Sequence, residues 1–342
     1  MEFLAADALK GRGSGTRDEL LAALYIASQL RQSGLQPAAD KGGFVEEVAL
    51  TKRKFAVAPQ LQIGTPGEHE PLSWKHGTDM LALHIGRGLV QGPLQKMKPD
   101  SGTRVLQDGF VLLDTGTETT GASRELAEKI SAQGAGVVMI PSDPGVEESW
   151  KELGQRLFEE NVEPADTRGE PASKANILVL RRAAFERLRQ MPDGTAMKLI
   201  AVEEIPHRAK TYNVVGRIEG TDSHAAILFS AHLDHLGAAS LVGTNFYSGA
   251  DDDASGVTAV LELARFFASG PRPKRTLLFA LFGGGELDNA GAKKFAGSPP
   301  LPPTDIVADL DFEMIGRKNP DLPGDTLMLD DWSRSNLGSA LV

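Results

Sequence analysis

No cysteine occurs among the 342 residues, which excludes thiol nucleophiles, cysteine-ligated zinc and a disulfide framework together. That absence leaves the compartment open, because a cysteine-free chain is at home inside or outside the cell. No apolar run approaches the ~18–20 residues needed to span a bilayer. Positive charge is in deficit, with 36 Lys+Arg against 46 Asp+Glu and a formal net charge of −10. A nucleic-acid binder would usually carry the opposite sign. The N-terminus, Met1-Glu2-Phe3-Leu4-Ala5-Ala6-Asp7, lacks the basic and apolar regions of a signal peptide. Met1 almost abuts helical sequence, and we expect an upstream segment to have been removed.

What is present reads as an ordinary globular chain. Hydrophobic residues make up 41% and charged residues 24%, and the length suits about two domains at ~150 residues each. Thr16 and Glu19 have capping-box spacing, and Leu20, Leu21, Leu24, Ala27 and Leu30 continue at helical period towards a stop at Gly34. A β-like segment follows from about Phe44 to Ile63. Residues from about Trp74 to Val202 form a separate α/β texture, with buried-type strands at Phe110–Asp114, Gly136–Ile140 and Ile177–Leu180 and an acidic, loop-rich stretch from Pro144 to Lys174. The last part alternates strands (Tyr212–Ile218, Ala225–Ala231, Thr276–Phe282, Asp305–Ile315) with a helix at Ser255–Ala268. This pattern predicts an α/β fold with a mixed, mostly parallel sheet covered by helices on both faces, and chemistry at the carboxyl ends of its strands.

Metal-type side chains cluster at those strand ends. One strand runs into His232-Leu233-Asp234-His235, and the next loop ends in Gly249-Ala250-Asp251-Asp252-Asp253-Ala254-Ser255-Gly256. A second strand runs into Gly283-Gly284-Gly285-Glu286, and the last delivers Glu313. Imidazole with several carboxylates suits Zn²⁺, and a shared carboxylate can hold two metals. Within His232-x-Asp234, the carboxylate can fix the imidazole tautomer. Each piece has a plainer reading: a surface His–Asp pair, a solvated helix cap, or a glycine turn without the Lys-Ser/Thr of a phosphate loop. Four such pieces in order favour a metal site. His69, His76 and His84 read as polar surface residues near the domain junction. Ser230 and Ser255 lack a nucleophile elbow.

These motifs, with Phe312-Glu313-Met314-Ile315-Gly316-Arg317, resemble the dizinc aminopeptidase/glutamate carboxypeptidase family. The middle segment resembles the protease-associated domain inserted in many of its members. The resemblance implies a zinc peptidase domain of residues 1–70 and 203–342, with its C-terminal part missing, and an inserted domain of residues 71–202. It makes His232 and Glu313 ligands of one zinc, Asp252 the bridge, Glu286 a ligand of the second, and Asp234 the residue that orients His232. Peptides with a free N-terminus or amino-acid amides are the implied substrates, and a secreted or periplasmic location is implied too.

Two departures stand beside the match. The position of the family's general base is occupied by Gly285, and a lost base costs about 10²–10⁴ in rate. Asp251 and Asp288 do not match that position. The family's last zinc-binding His has no counterpart after His235, which leaves the second zinc short of ligands unless His235 serves. An exopeptidase, disabled or not, and a catalytically dead binding module therefore both remain open.

Overall fold

In the computed structural model, residues 65–69, 100–101, 117–118, 160, 166–174, 238–245, 319–325, 327, 330–335 and 342 are not described. The chain divides into two compact units, Met1–Leu50 with Ala209–Val342, and Thr51–Arg208. The domain boundary expected at 70/71 lies inside the second unit, and the one expected at 202/203 lies a few residues short of its end. The strand Phe55–Ile63 pairs with both Leu72–Lys75 (Leu61 opposite Trp74) and Ala196–Glu203 (Leu61 opposite Leu199). Cutting at residue 70 would remove a central strand from that sheet.

The first unit begins with helix α1 (Arg17–Gln32). Strands β1 (Val45–Arg53), β2 (His207–Ile218) and β3 (Asp222–His232) follow. Helix α2 (Ala254–Ser269), strand β4 (Arg275–Phe282), helix α3 (Ala290–Gly297) and strand β5 (Ile306–Asp311) complete the part that carries the site. The strands lie in the order β5-β3-β4-β2-β1. β3 is parallel to β4 (Phe229 opposite Phe279) and to β5 (Leu228 opposite Asp309), whereas β2 is antiparallel to β4. The sheet is thus mixed, as the alternation of elements implies.

Its sidedness follows from the two-residue period of β4. Leu277, Phe279 and Leu281 join Ile26 and Leu30 of α1 and Val257 and Val260 of α2 in one core. Leu278, Ala280 and Phe282 face the other way and pack with Phe295 of α3. Helix α1 starts where its sequence says it should: the Thr16 side chain accepts a hydrogen bond from Glu19 N at 3.3 Å. The last strand is shorter than its apolar run suggests. Phe312 N still donates to Ser230 O, but the amides of Met314, Ile315 and Gly316 then turn to side chains at the start of α2.

The second unit has an eight-stranded sheet in which Leu89–Met97, Phe110–Leu113, Val137–Pro141 and Asn176–Leu180 run parallel in that order. The acidic stretch read as loop contains helices Pro144–Glu148 and Trp150–Glu159. Trp150 is buried and donates from Nε1 to Gly77 O, so an apolar anchor organises polar sequence. His76 is also buried rather than on the surface, hydrogen-bonded between Gly154 O and Ala82 N. The His84 side chain is mostly covered and meets Glu163 at 2.9 Å. His69 falls outside the described residues. Among the described residues no helix is long and apolar enough to cross a membrane.

Phe279 is fully buried and stacks on Phe229 with ring centroids 5.4 Å apart. Phe279→Ala is expected to lower the unfolding free energy by about 3–5 kcal/mol, read as a shift of the urea midpoint. A shift under about a third of that would mean the two helices are not held through this ring.

Candidate metal centre

Parallel pairing sets the site. His232 at the end of β3 lies opposite Phe282 at the end of β4, and Ser230 lies opposite Asp311 of β5. The residues that follow, Asp234–His235, Gly285–Glu286 and Glu313, therefore leave the sheet at one edge. The three successive aspartates before α2 then divide the work. Asp251 accepts from Gly316 N at 2.8 Å and pairs with Arg317 at 2.7 Å, fastening the Glu313 loop. Asp253 caps α2 through Gly256 N and also accepts from His232 N and Met314 N, each at 3.1–3.2 Å. Asp252 is left facing the site, with a cavity of about 390 Å³ beside it that His232, Glu286, Glu313, Asp309 and Asp311 also line.

Two groups of donors share Asp252. His232, Asp252 and Glu313 place one ligand atom each within 4.8 Å of one another, and so do His235, Asp252 and Glu286. His232 Nε2 is 3.0 Å from Asp252 Oδ1, and His235 Nδ1 is 3.7 Å from Asp252 Oδ2. Imidazole nitrogens with carboxylate oxygens form a donor set suited to zinc, so these side chains fit the metal the sequence implies. The four ligands expected from sequence, His232, Asp252, Glu286 and Glu313, all come together here, and His235 joins them.

Asp234 is fully buried, but its carboxylate does more than face the imidazole. It accepts from Gly285 N at 2.8 Å, Glu286 N at 3.3 Å and Ser14 Oγ at 2.5 Å, while His232 Nδ1 stands 3.6 Å away. Asp234 thus ties the Glu286 loop to the exit of β3. Burial opposes charge on His232, yet Asp234, Asp253 and Asp252 outweigh it and raise its pKa to about 9. Burial pushes Asp253 up to about 7 despite its amide partners and the charge of His232. The His232 shift reflects carboxylates crowded around it, whereas that of Asp253 reflects burial.

Sequence reasoning missed two groups behind the site. Arg12 is 1% exposed, and among the described residues no carboxylate forms an ion pair with it. Its guanidinium instead donates to four carbonyls, those of Leu4, Leu233, Ser248 and Gly249. Glu19, also buried, accepts from Gly15 N at 2.7 Å and from Thr211 Oγ1. Burial and then the charge of Asp234 raise its pKa to about 8. The Gly11-Arg12-Gly13-Ser14-Gly15 run ahead of α1 was the available signal, since a charged residue among glycines marks a close backbone approach.

At the expected base position, Gly285 lies against His232: a Cβ there would fall 2.6–2.7 Å from the histidine side chain. Neither neighbouring carboxylate substitutes. Asp251 is engaged as above, and Asp288 pairs with Lys293 at 2.5 Å.

Fold and donor set together describe an α/β domain with a candidate metal centre at its strand ends. Residues 213–337 match the model of peptidase family M28. Over 108 residues it is 32% identical to a vacuolar membrane protease of Candida dubliniensis, covering 31% of this chain and 11% of that protein. A probable zinc metalloprotease of Leptosphaeria maculans is 30% identical over 118 residues, 34% of this chain and 27% of the relative. The chain therefore spans about a quarter or less of these curated relatives. Among solved structures, an aminopeptidase from Aneurinibacillus sp. strain AM-1 shares the fold with a TM-score of 0.53 and 20% identity. That likeness covers 93% of this chain and 69% of the other.

Arg12→Met removes four carbonyl partners and a buried charge. It is expected to destabilise the protein by about 3 kcal/mol or more, measured by urea unfolding, and to weaken metal binding. Glu19 yields a pH prediction for the metal-free protein. Its folded pKa is raised from 4.5 to about 8, so the native state holds a proton that the unfolded chain releases. Stability should fall as pH rises through that window, and Glu19→Gln should flatten the fall. An unchanged pH slope in the variant would assign the titration elsewhere.

Proposed function

We propose that this chain is a zinc-dependent exopeptidase of the aminopeptidase type, acting on peptides with a free N-terminus or on amino-acid amides. The observation that carries the reading is the pair of His–carboxylate trios that share Asp252 beside an open cavity. His232, Asp252 and Glu313 would hold one zinc, and Asp252 with Glu286 would contribute to a second. Bound zinc supplies Lewis-acid polarisation of the scissile carbonyl and a water acidic enough to attack at neutral pH. The protein's own part is positioning. Asp253 and Asp251 hold the loops on either side, and Asp234 fixes the Glu286 turn against β3. The cavity's acidic lining beyond the metal donors, Asp309 and Asp311, favours a protonated amino terminus over a carboxylate terminus, which supports amino- rather than carboxypeptidase action.

The proton transfers are the weak step. Gly285 cannot take a proton from water or return it to the leaving amine, so turnover should lie about 10²–10⁴ below that of a site with a positioned base. The same residue favours a second reading, a peptide-binding module that keeps metal and substrate affinity without turnover. Substituting glutamate at 285 is no simple rescue, because its Cβ would press on His232.

Hydrolysis of a peptide with a free N-terminus should be slow, should vanish after chelation and should return with zinc, while the N-acetylated peptide is spared. Metal removal should also lower the melting temperature, because only the native state holds the ion. Peptide binding by calorimetry with no release of amino acid, even at long times, would select the binding module. No zinc retention would overturn both readings.

A further inference from the structure

The Glu286 backbone is well fastened, but its side chain has a single anchor. Glu286 N donates to Asp234 Oδ2 at 3.3 Å, and Leu287 N closes the turn on Gly284 O at 3.1 Å. Among the described residues, the Glu286 carboxylate accepts one hydrogen bond, from His235 Nδ1 at 2.8 Å. We propose that His235 is a positioning residue whose Nδ1–H fixes which way the Glu286 carboxylate faces before any metal arrives. This rests on the proposed metal-dependent reading and deepens it, because it names the residue that aims one of the donors.

Three observations carry it. First, the bond has one direction. An ionised carboxylate only accepts, so the 2.8 Å contact requires the proton to sit on His235 Nδ1. That nitrogen then has no lone pair to offer a metal, and its role is to orient. Second, the proton is not shared. Asp252 Oδ2 stands 3.7 Å from the same nitrogen, beyond hydrogen-bond reach, so the donor serves Glu286 alone. Third, the ring is the fixed partner of the pair. His235 N donates to Arg12 O at 3.2 Å, and Tyr247 stands edge-on with centroids 6.4 Å apart. Gly249, at φ +62°, lies so close that a Cβ there would be 2.9 Å from the imidazole Cδ2. The histidine side chain is only 9% exposed and the glutamate side chain 24%. A glutamate side chain gives up much rotamer freedom when it is ordered, and a rigid donor takes that loss before the metal binds.

The plainer alternative is an ion pair, in which a charged His235 attracts Glu286 with no demand on direction. It accounts for the 2.8 Å contact but not for the walls around the ring. Arg12, Tyr247 and Gly249 all hold the imidazole from segments other than the Glu286 loop. A fixed donor constrains the angle of its acceptor as well as the distance. Partners that hydrogen-bond a metal ligand typically carry about 10–100-fold in metal affinity. Asparagine separates the two readings, because its amide nitrogen falls where Nδ1 stands and it has no charge. Leucine supplies neither donor nor charge.

The test is the zinc affinity of the full chain, measured by competition with a chromophoric chelator. His235→Leu should bind zinc about 10–100-fold more weakly than the wild type, and His235→Asn should recover most of that loss. Glu286→Gln should lose affinity too, and combining it with His235→Leu should cost little more, because His235 acts through Glu286. Urea melts of the metal-free proteins check that each variant is folded. On the wild type itself, imidazole nitrogen NMR should show His235 Nδ1 keeping its directly bonded proton when zinc is added. Wild-type affinity in His235→Leu, an asparagine variant as weak as the leucine one, additive losses in the double variant, or loss of the Nδ1 proton to zinc would each overturn this assignment while leaving the proposed function standing. A wild type that holds no zinc would instead overturn the metal-dependent reading, and this inference with it.

Discussion

A single buried guanidinium ties two of the site's loops to each other and to the start of the chain. Arg12 reaches the carbonyls of Leu233, between the two ligand-bearing turns of the β3 exit, and of Ser248 and Gly249, just ahead of the three aspartates. It also ties in Leu4 near the chain start. Burial alone lowers its pKa, and the charges of Asp234, Asp253 and Asp252 act against that loss. The arrangement is mutual. The carboxylates make a buried guanidinium tolerable, and the guanidinium holds the loops that bring the carboxylates together. Isolated burial of either sign would cost several kcal/mol.

The same economy explains why the aspartate run is not a single motif with a single job. Asp253 is spent on backbone amides of three elements, and Asp251 on the Gly316–Arg317 turn. Only with both neighbours anchored does Asp252 present its two oxygens to two different histidines. Each loop is thus cross-braced by a side chain that stays out of the chemistry. A binding site on loops needs such support if donors are to be held within a few tenths of an ångström.

Three of the four expected ligands, His232, Glu286 and Glu313, were legible in the sequence because each stands at or just after the end of an apolar strand, and parallel strands end at one edge; Asp252 was legible as part of the aspartate run that opens α2. The helix cap at Thr16 was legible because capping is local. The remainder depended on distance in the chain. Arg12 and its carbonyl partners are separated by more than 200 residues for three of its four hydrogen bonds, and no periodicity encodes that. His235 was open on sequence grounds because only the turn after buried Leu233, pinned by its N–H to Phe282 O at 2.8 Å, decides where the next side chains point. The edge of the second compact unit, Thr51 rather than residue 71, was hidden for a related reason. Strand Phe55–Ile63 reads locally as a continuation of Val45–Arg53, and only its partners, Leu72–Lys75 and Ala196–Glu203, assign it to the other unit.

Gly285 is best understood through its neighbours rather than as a simple loss. Its N–H is held by Asp234, and its missing side chain lets the turn lie directly on the His232 ring. That close approach sets the path by which the next residue, Glu286, reaches His235 at 2.8 Å. A side chain at 285 would push the turn and the imidazole apart, and Glu286 would move with the turn. The residue that removes the proton carrier is therefore also the one that permits the tight second trio.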